Sequence, residues 1–279
     1  MARIGFMQGR LSARVDGKIQ AFPWRDWEAE FALAGRHGFP IMEWTLDQAR
    51  LHENPLLTAA GRERIRTLGA AHGLQVLSLT GDCFMHAPFF KAAGAERAAL
   101  LDDLDAVLDA CAAAGVRYVL VPLVDNGSLT TADEERVLIE GLLPRAPRLR
   151  ARGMSIVFES DFAPARLAAF IARFDRDTFG INYDIGNSAA LGFDTRAEIA
   201  AYGDRIVNVH VKDRIRGGTT VPLGTGNADF AATFGALAAC GYRGDFILQT
   251  ARAADDDHAG VLCKYRDMVR DWVARAGNA

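Results

Sequence analysis

The sequence predicts an α/β fold: a single (β/α)8 barrel, or TIM barrel, filling residues 1–279. Three observations lead there. Short apolar runs rich in β-branched residues alternate with stretches of helical periodicity, eight times along the chain. The runs are apolar almost throughout, as strands buried on both faces are. Five of the helical stretches stop at a glycine shortly before the next run, at Gly38, Gly73, Gly115, Gly153 and Gly241. A length of 279 residues is also close to the ~250 usual for this barrel.

The units follow in order. Strand one (3–7) runs into the polar loop Gln8-Gly9-Arg10, and Trp27, Phe31 and Ala34 mark a helix over 24–37 by their i, i+4, i+7 spacing. Strand two (41–44) carries Glu43 in an otherwise apolar run, then Asn54-Pro55 leads to a helix over 58–72. Strand three (75–80) opens into the loop GDCFMHAPFF, followed by an Ala/Leu-rich helix over 95–114. After strand four (118–122) a helix over 131–152 is expected to break at Pro144 and Pro147. Strand five (155–159) precedes a helix over 163–174, and strand six (179–184) a loop, IGNSAALGFD, with a short helix up to Tyr202. Strand seven (206–211) is followed by the glycine-rich loop DRIRGGTTVPLGTGN and a helix over 228–240. Strand eight (245–249) and a helix over 257–276 complete the set. An open dinucleotide-binding sheet would need G-x-G-x-x-G after an early strand, and MQGRLS does not match. No linker or low-complexity tract divides the chain.

Composition narrows the function. A net charge of −3 suggests neither a nucleic-acid partner nor a membrane surface. The four cysteines lie far apart with no CxxC, so zinc-cluster spacing is absent and a disulfide framework is not expected. The N-terminus lacks the apolar core and cleavage site of a signal peptide, and no apolar run reaches the ~18 residues that span a bilayer. A cytoplasmic location is expected.

In such a barrel the chemistry sits at the C-terminal ends of the strands. Strand five ends in Glu159, strand six in Asp184 with Asn187 beyond, and strand seven presents His210 followed by Lys212 and Asp213. Strand eight ends in Gln249 with Arg252 beyond, strand two offers Glu43, and the loop after strand three offers Asp82 and His86. Any one of these could be a helix cap or a satisfied core group. Four successive strands ending this way point instead to one oxygen-rich, one-nitrogen site suited to Mn²⁺, Mg²⁺ or a similar divalent ion. His37, His52, His72 and His258 fall on helix or loop surface positions.

These residues carry a family resemblance. FES with Glu159, NYDIGNS with Asp184, NVHVKD with His210 and the strand-eight end ILQTAR make nearly the whole chain resemble the xylose-isomerase-like TIM barrels. That group holds sugar isomerases, ketose 3-epimerases and sugar-phosphate epimerases. The resemblance implies one divalent metal ion, Mn²⁺ first with Mg²⁺, Co²⁺ or Zn²⁺ as alternatives, on Glu159, Asp184, His210 and Gln249. It also implies substrate contacts from His86 and Arg216, to which Lys212 and Glu43 are added by their position. The turn PLGTGNADF resembles the family's Gly-x-Gly turn, whose backbone N–H groups could hold an anion. The expected partner is a small sugar or sugar phosphate, and a homo-oligomer is compatible with the fold.

One departure matters. The fourth ligand of the family is usually Glu and here is Gln249, which cannot act as a base at neutral pH. Inverting a carbon needs proton-transfer groups on both faces, whereas aldose–ketose isomerisation can use one carboxylate. The expected activity is proton abstraction by Glu159 through an enediolate, leaning to an isomerase over an epimerase. The alternatives are a polyol dehydratase starting from the same step and a sugar-binding barrel that has lost its metal. A DNA-repair endonuclease on this barrel, which would need many more histidine and acidic ligands and a basic face, is disfavoured by only six histidines and a net charge of −3.

Overall fold

The computed structural model describes residues 2–277. Eight parallel strands close into a barrel: β1 (Ile4–Met7), β2 (Ile41–Thr45), β3 (Gln75–Thr80), β4 (Tyr118–Leu123), β5 (Ser155–Ser160), β6 (Phe179–Asp184), β7 (Ile206–Val211) and β8 (Asp245–Leu248). Each pairs with its sequence neighbours, and β1 pairs with β8 to close the ring. The eight strand-and-helix runs of the sequence are thereby realised as one closed barrel.

The side chains divide by strand parity. Outward residues such as Phe6, Trp44, Phe158 and Val209 join one large core between the strands and the surrounding helices. Met7, Ile41 and Ile247 form a small separate cluster. Gly5 makes room for it, since a Cβ there would lie 2.4 Å from Ile41 Cγ1. Nearer the C-terminal mouth the same inward parity carries polar residues: Glu43 and Thr45, Ser78 and Thr80, Asn182 and Asp184, Asn208 and His210, all buried. The barrel is thus plugged by hydrocarbon below and lined by polar groups above.

The helices are α1 (Ala29–Arg36), α2 (Ala59–His72), α3 (Asp82–His86), α4 (Gly94–Ala114), α5 (Ala132–Leu142), α6 (Ala146–Ala151), α7 (Pro164–Ile171), α8 (Ile185–Leu191), α9 (Thr195–Tyr202), α10 (Phe230–Ala239) and α11 (His258–Gly277). Local signals set their ends. Thr58 caps α2 by accepting from Gly61 N, and Gly73 ends it at φ 65°. Thr131 and Glu134 form a capping box on α5. The break expected from the prolines occurs as a short 3₁₀ turn, Leu143–Arg145, between α5 and α6. No described helix is long and apolar enough to cross a membrane.

The structure departs from the sequence reading around the mouth. The helix expected over 24–37 is regular only in α1, with turns before it. Two stretches read as loops are helical: α3 after β3 and α8 after β6. For α8 the cause is Asp184 itself, whose side chain accepts from Asn187 N and so starts a helix at the strand end. The glycine-rich loop contains a small antiparallel pair, Asp213–Arg214 with Thr220–Val221.

Candidate active site and metal centre

Strand register gathers the strand-end residues. An irregularity between Ile181 and Asn182 lets β6 slip against β7, so that Asn182 faces Asn208 and Asp184 faces His210. Glu159 stands at the end of β5, opposite Pro122 of β4. The result is a cluster in which Glu159, Asp184 and His210 each offer one ligand atom, all within 4.8 Å of one another. His210 Nδ1 lies 3.3 Å from Glu159 Oε2 and 3.7 Å from Asp184 Oδ2.

The imidazole is oriented from behind. His210 Nε2 lies 2.6 Å from Glu43 Oε1, and that carboxylate also accepts from Thr80 Oγ1 and, at 3.0 Å, from Asn208 Nδ2. A carboxylate surrounded by donors can only accept, so Nε2 carries the proton. Nδ1 then turns either a lone pair or a second proton towards two carboxylates. A bare lone pair there would be repelled, so the pocket calls for positive charge: a cation or an imidazolium proton. Nδ1 and Asp184 Oδ2 are both buried without a hydrogen-bond partner among the described residues. These are the atoms that a divalent ion would satisfy, so the donor set fits one.

The charges follow. Burial would push His210 down, but Glu43, with Asp184 and Glu159, outweighs it and holds the imidazole well above its usual range. Burial would likewise push Asp184 up, but the Lys212 ammonium and His210 bring it down to about 2. Glu43 is lowered in spite of complete burial, through His210 and its hydrogen bonds.

Glu159 is held on both oxygens. Asn187 Nδ2 donates to Oε1 at 2.5 Å and Asn182 Nδ2 to Oε2 at 3.0 Å. Asn182 in turn accepts from Asn208, which donates to Glu43. Asparagines 182 and 208 were missed in the sequence. The signal was available, because each stands two residues before a strand-end site residue, Asp184 or His210, and so shares its face.

Gln249 is 8 % exposed and uses its amide oxygen to accept from Lys212 Nζ at 2.8 Å. Lys212 also lies 2.7 Å from Asp184 Oδ2, an ion pair without the alignment of a hydrogen bond. The ammonium therefore sits between the strand-six carboxylate and the strand-eight amide. Gln249 Nε2 donates to Gln20 Oε1 at 2.8 Å.

A cavity of about 540 Å³ opens above this cluster, lined by Glu159, Lys212 and Gln249 together with Asp47, Asp82 and His86. His86 stands exposed on α3 at the cavity edge, and Leu120, Pro122, Met85 and Val124 give it an apolar wall. Two expected substrate contacts are placed elsewhere. Glu43 is 0 % exposed beneath His210, because its strand parity turns it into the barrel. Arg216 is exposed outside the cavity, with its guanidinium against Gly192, because the chain turns outward after Arg214. Arg214 lines the cavity instead and donates to Asn187 Oδ1 and Gly218 O.

The glycine turn is also differently employed. Gly224 N, Gly226 N and Ala228 N all donate to the Asp213 carboxylate, at 2.9, 2.8 and 3.1 Å. The backbone donors that could have received an anion are filled by the chain's own side chain.

The chain as a whole has known relatives. The chain is 26 % identical over 262 residues, 90 % of its length and 91 % of the relative's, to a protein named L-ribulose-5-phosphate 3-epimerase UlaE from Salmonella paratyphi A. In solved structures it resembles a D-allulose 3-epimerase from Methylomonas sp., with a TM-score of 0.74, 17 % identity and coverage of 98 % and 99 % of the two chains. It also resembles a xylose isomerase-like TIM barrel protein from Mycobacterium smegmatis in complex with magnesium, with a TM-score of 0.72, 18 % identity and coverage of 99 % and 98 %. The family model described as xylose isomerase-like TIM barrel matches residues 31–264, and the chain belongs to that family.

Proposed function

We propose that this protein is a divalent-metal-dependent sugar epimerase or isomerase that removes a proton from the carbon beside a carbonyl. The observation that carries this reading is the convergence of Glu159, Asp184 and His210 within 4.8 Å, with Glu159 lining a cavity of about 540 Å³. Relatives named as sugar epimerases support the substrate class. A metal-bound structure in the same fold supports the cofactor, for which Mn²⁺ and Mg²⁺ suit the donor set.

Glu159, Asp184 and His210 would hold the ion, with Gln249 beside them. A divalent ion there would supply Lewis-acid polarisation of a carbonyl and its neighbouring hydroxyl. The rest falls to the chain. Glu159 is the base: its carboxylate borders the cavity, and Asn182 and Asn187 fix the direction of its oxygens. The Lys212 ammonium, held by Gln249 and Asp184, faces the cavity where negative charge builds up on a substrate oxygen. The apolar wall of Leu120, Pro122 and Val124 limits water around the reacting carbon.

The substrate is read as an unphosphorylated sugar. Asp213 occupies the turn N–H groups, Arg214 is bonded to Asn187 and Gly218, and Asp47, Asp125 and Asp161 border the cavity. Carboxylates at these positions suit hydroxyl donors better than a phosphate.

The test is proton exchange. Purified protein with Mn²⁺ is incubated in D2O with L-ribulose, D-fructose, D-xylulose and their phosphates, and carbon-bound deuterium is followed by NMR. Exchange on at least one free ketose, lost in Glu159→Gln and in chelator, is the expected result. No exchange on any of them would sink the reading. Product analysis separates a dehydratase, which shares the first step but loses water.

A further inference from the structure

Removal of a proton accounts for half of an epimerisation, and the strand-eight position that could supply the second base is Gln249. Another carboxyl group is tied to that position. Asp82, at the start of α3, is 7 % exposed and borders the same cavity as Glu159 and Gln249. Its Oδ2 accepts from Gln20 Nε2 at 2.6 Å, and Gln20 Oε1 accepts from Gln249 Nε2 at 2.8 Å. Lys212 fixes the orientation of Gln249, since an ammonium can only donate to the amide oxygen. A chain of directed hydrogen bonds therefore runs from Lys212 through two amides to Asp82. Among the described residues, Oδ1 of Asp82 takes no hydrogen bond.

The surroundings of Asp82 favour its neutral form. Burial pushes its carboxyl up, and Asp47 from the loop after β2 and Glu159 from β5 add to this; Gln20 and Arg10 oppose it, and the outcome is about 7. Arg10 is held by Thr250 O, Ile19 O and Gln20 Oε1 and gives Asp82 no hydrogen bond. The other charged or titratable groups bordering the cavity are Lys18, His86, Asp125, Asp161, Lys212 and Arg214. A carboxyl group that titrates near neutrality is suited to give or take a proton at working pH.

We propose that Asp82 is the second proton-transfer group of an epimerisation in which Glu159 is the first. This rests on the sugar epimerase reading above. Glu159 takes the proton from the carbon beside the carbonyl; that C–H pair becomes the enediolate, and Glu159 is left protonated. The enediolate carbon then takes the Asp82 proton on its other face, and Asp82 is left as the carboxylate. The two groups exchange one proton with solvent between turnovers and carry one proton between them in either direction. The Gln249 side of the mouth thus keeps a carboxylic acid, supplied from β3 instead of β8.

Asp82→Asn tests this, because it keeps the shape and the Gln20 contact and removes the acid. L-ribulose and D-fructose with Mn²⁺ in D2O are the probes, and two rates are read: deuterium entry into recovered substrate and appearance of the 3-epimer. The expected result is a loss of epimer formation of about 100-fold with exchange within about 3-fold of wild type. Adding Gln249→Glu to Asp82→Asn is expected to restore epimer formation at least about 10-fold. In wild type, kcat/KM for epimerisation should fall as pH rises through about 7, while Asp82→Asn should lose that limb. Equal loss of both rates, or no loss of either, overturns the role of Asp82. A wild type that exchanges without forming an epimer overturns it while leaving an isomerase. A wild type that exchanges on neither sugar nor any other ketose removes the parent reading and this one together.

Discussion

Glu43 Oε1 lies 2.6 Å from His210 Nε2, and both side chains are fully buried. The pair joins β2 to β7 through the barrel interior and turns Nδ1 towards Glu159 and Asp184. A carboxylate behind a ligating histidine fixes its tautomer and raises its basicity. Glu43→Gln should therefore weaken Mn²⁺ binding about 10- to 100-fold, measured by calorimetric titration. Unchanged affinity would mean that His210 is oriented by other contacts.

Lys212 and Gln249 give a second expectation. The amide oxygen of Gln249 is engaged by the Lys212 ammonium 2.8 Å away, next to Asp184. Replacing it by a carboxylate adds charge beside the Glu159, Asp184 and His210 cluster. Gln249→Glu should bind Mn²⁺ more tightly than wild type, and Lys212→Met should lower kcat more than it raises KM if the ammonium meets charge only in the transition state. A Lys212→Met effect confined to KM would reassign the lysine to uniform substrate binding.

Asp213 organises the turn before α10. Three backbone N–H groups converge on its carboxylate, and the residue is 0 % exposed. Asp213→Ala leaves them unpaired in a half-buried loop and should cost on the order of 2–4 kcal/mol in chemical denaturation. In wild type, inorganic phosphate up to 10 mM, a chosen test concentration of about that order, should leave ketose turnover unchanged within about 2-fold, because these donors are already used. Tight competitive inhibition by phosphate would show another anion site in the cavity.

Glu30 sets a pH dependence of stability. It accepts from Gly9 N and Leu11 N at 2.9 and 3.0 Å beneath the loop after β1. Burial raises its carboxyl to about 7 in spite of those hydrogen bonds. Its folded value lies above its unfolded one, so between about 4.5 and 7 the folded protein binds more protons than the unfolded chain. Stability from this group is fully present below that window and is lost as pH rises through it, by on the order of 3 kcal/mol. Asp82, also raised to about 7, acts in the same direction. Urea unfolding at pH 5 and pH 8 should show a smaller difference for Glu30→Gln than for wild type, where those two values are about the edges of the window. An equal difference would place the proton elsewhere.

The sequence alone was enough for the barrel and for the three strand-end residues, Glu159, Asp184 and His210, that converge at its mouth. Both are local properties: each strand is an apolar run with its own terminating polar residue, and the eightfold repetition leaves little choice of architecture. Glu159, Asp184 and His210 could be read because parallel strands of a barrel end at one mouth. What only the tertiary structure decided depends on contacts between residues far apart in the chain. Glu43 is 167 positions from His210, and parity plus a register slip turn it beneath the imidazole instead of into the cavity. Asp213 fills a turn that reads as an anion site, because nothing in GTGN shows that a carboxylate eleven to fifteen residues earlier folds back onto it. Gln249 reads as a lost base, and only the fold shows it bonded through Gln20 to the carboxyl of Asp82. Local pattern specified the frame, and the direction of each side chain at the mouth came from register, burial and the pairing of charges across it.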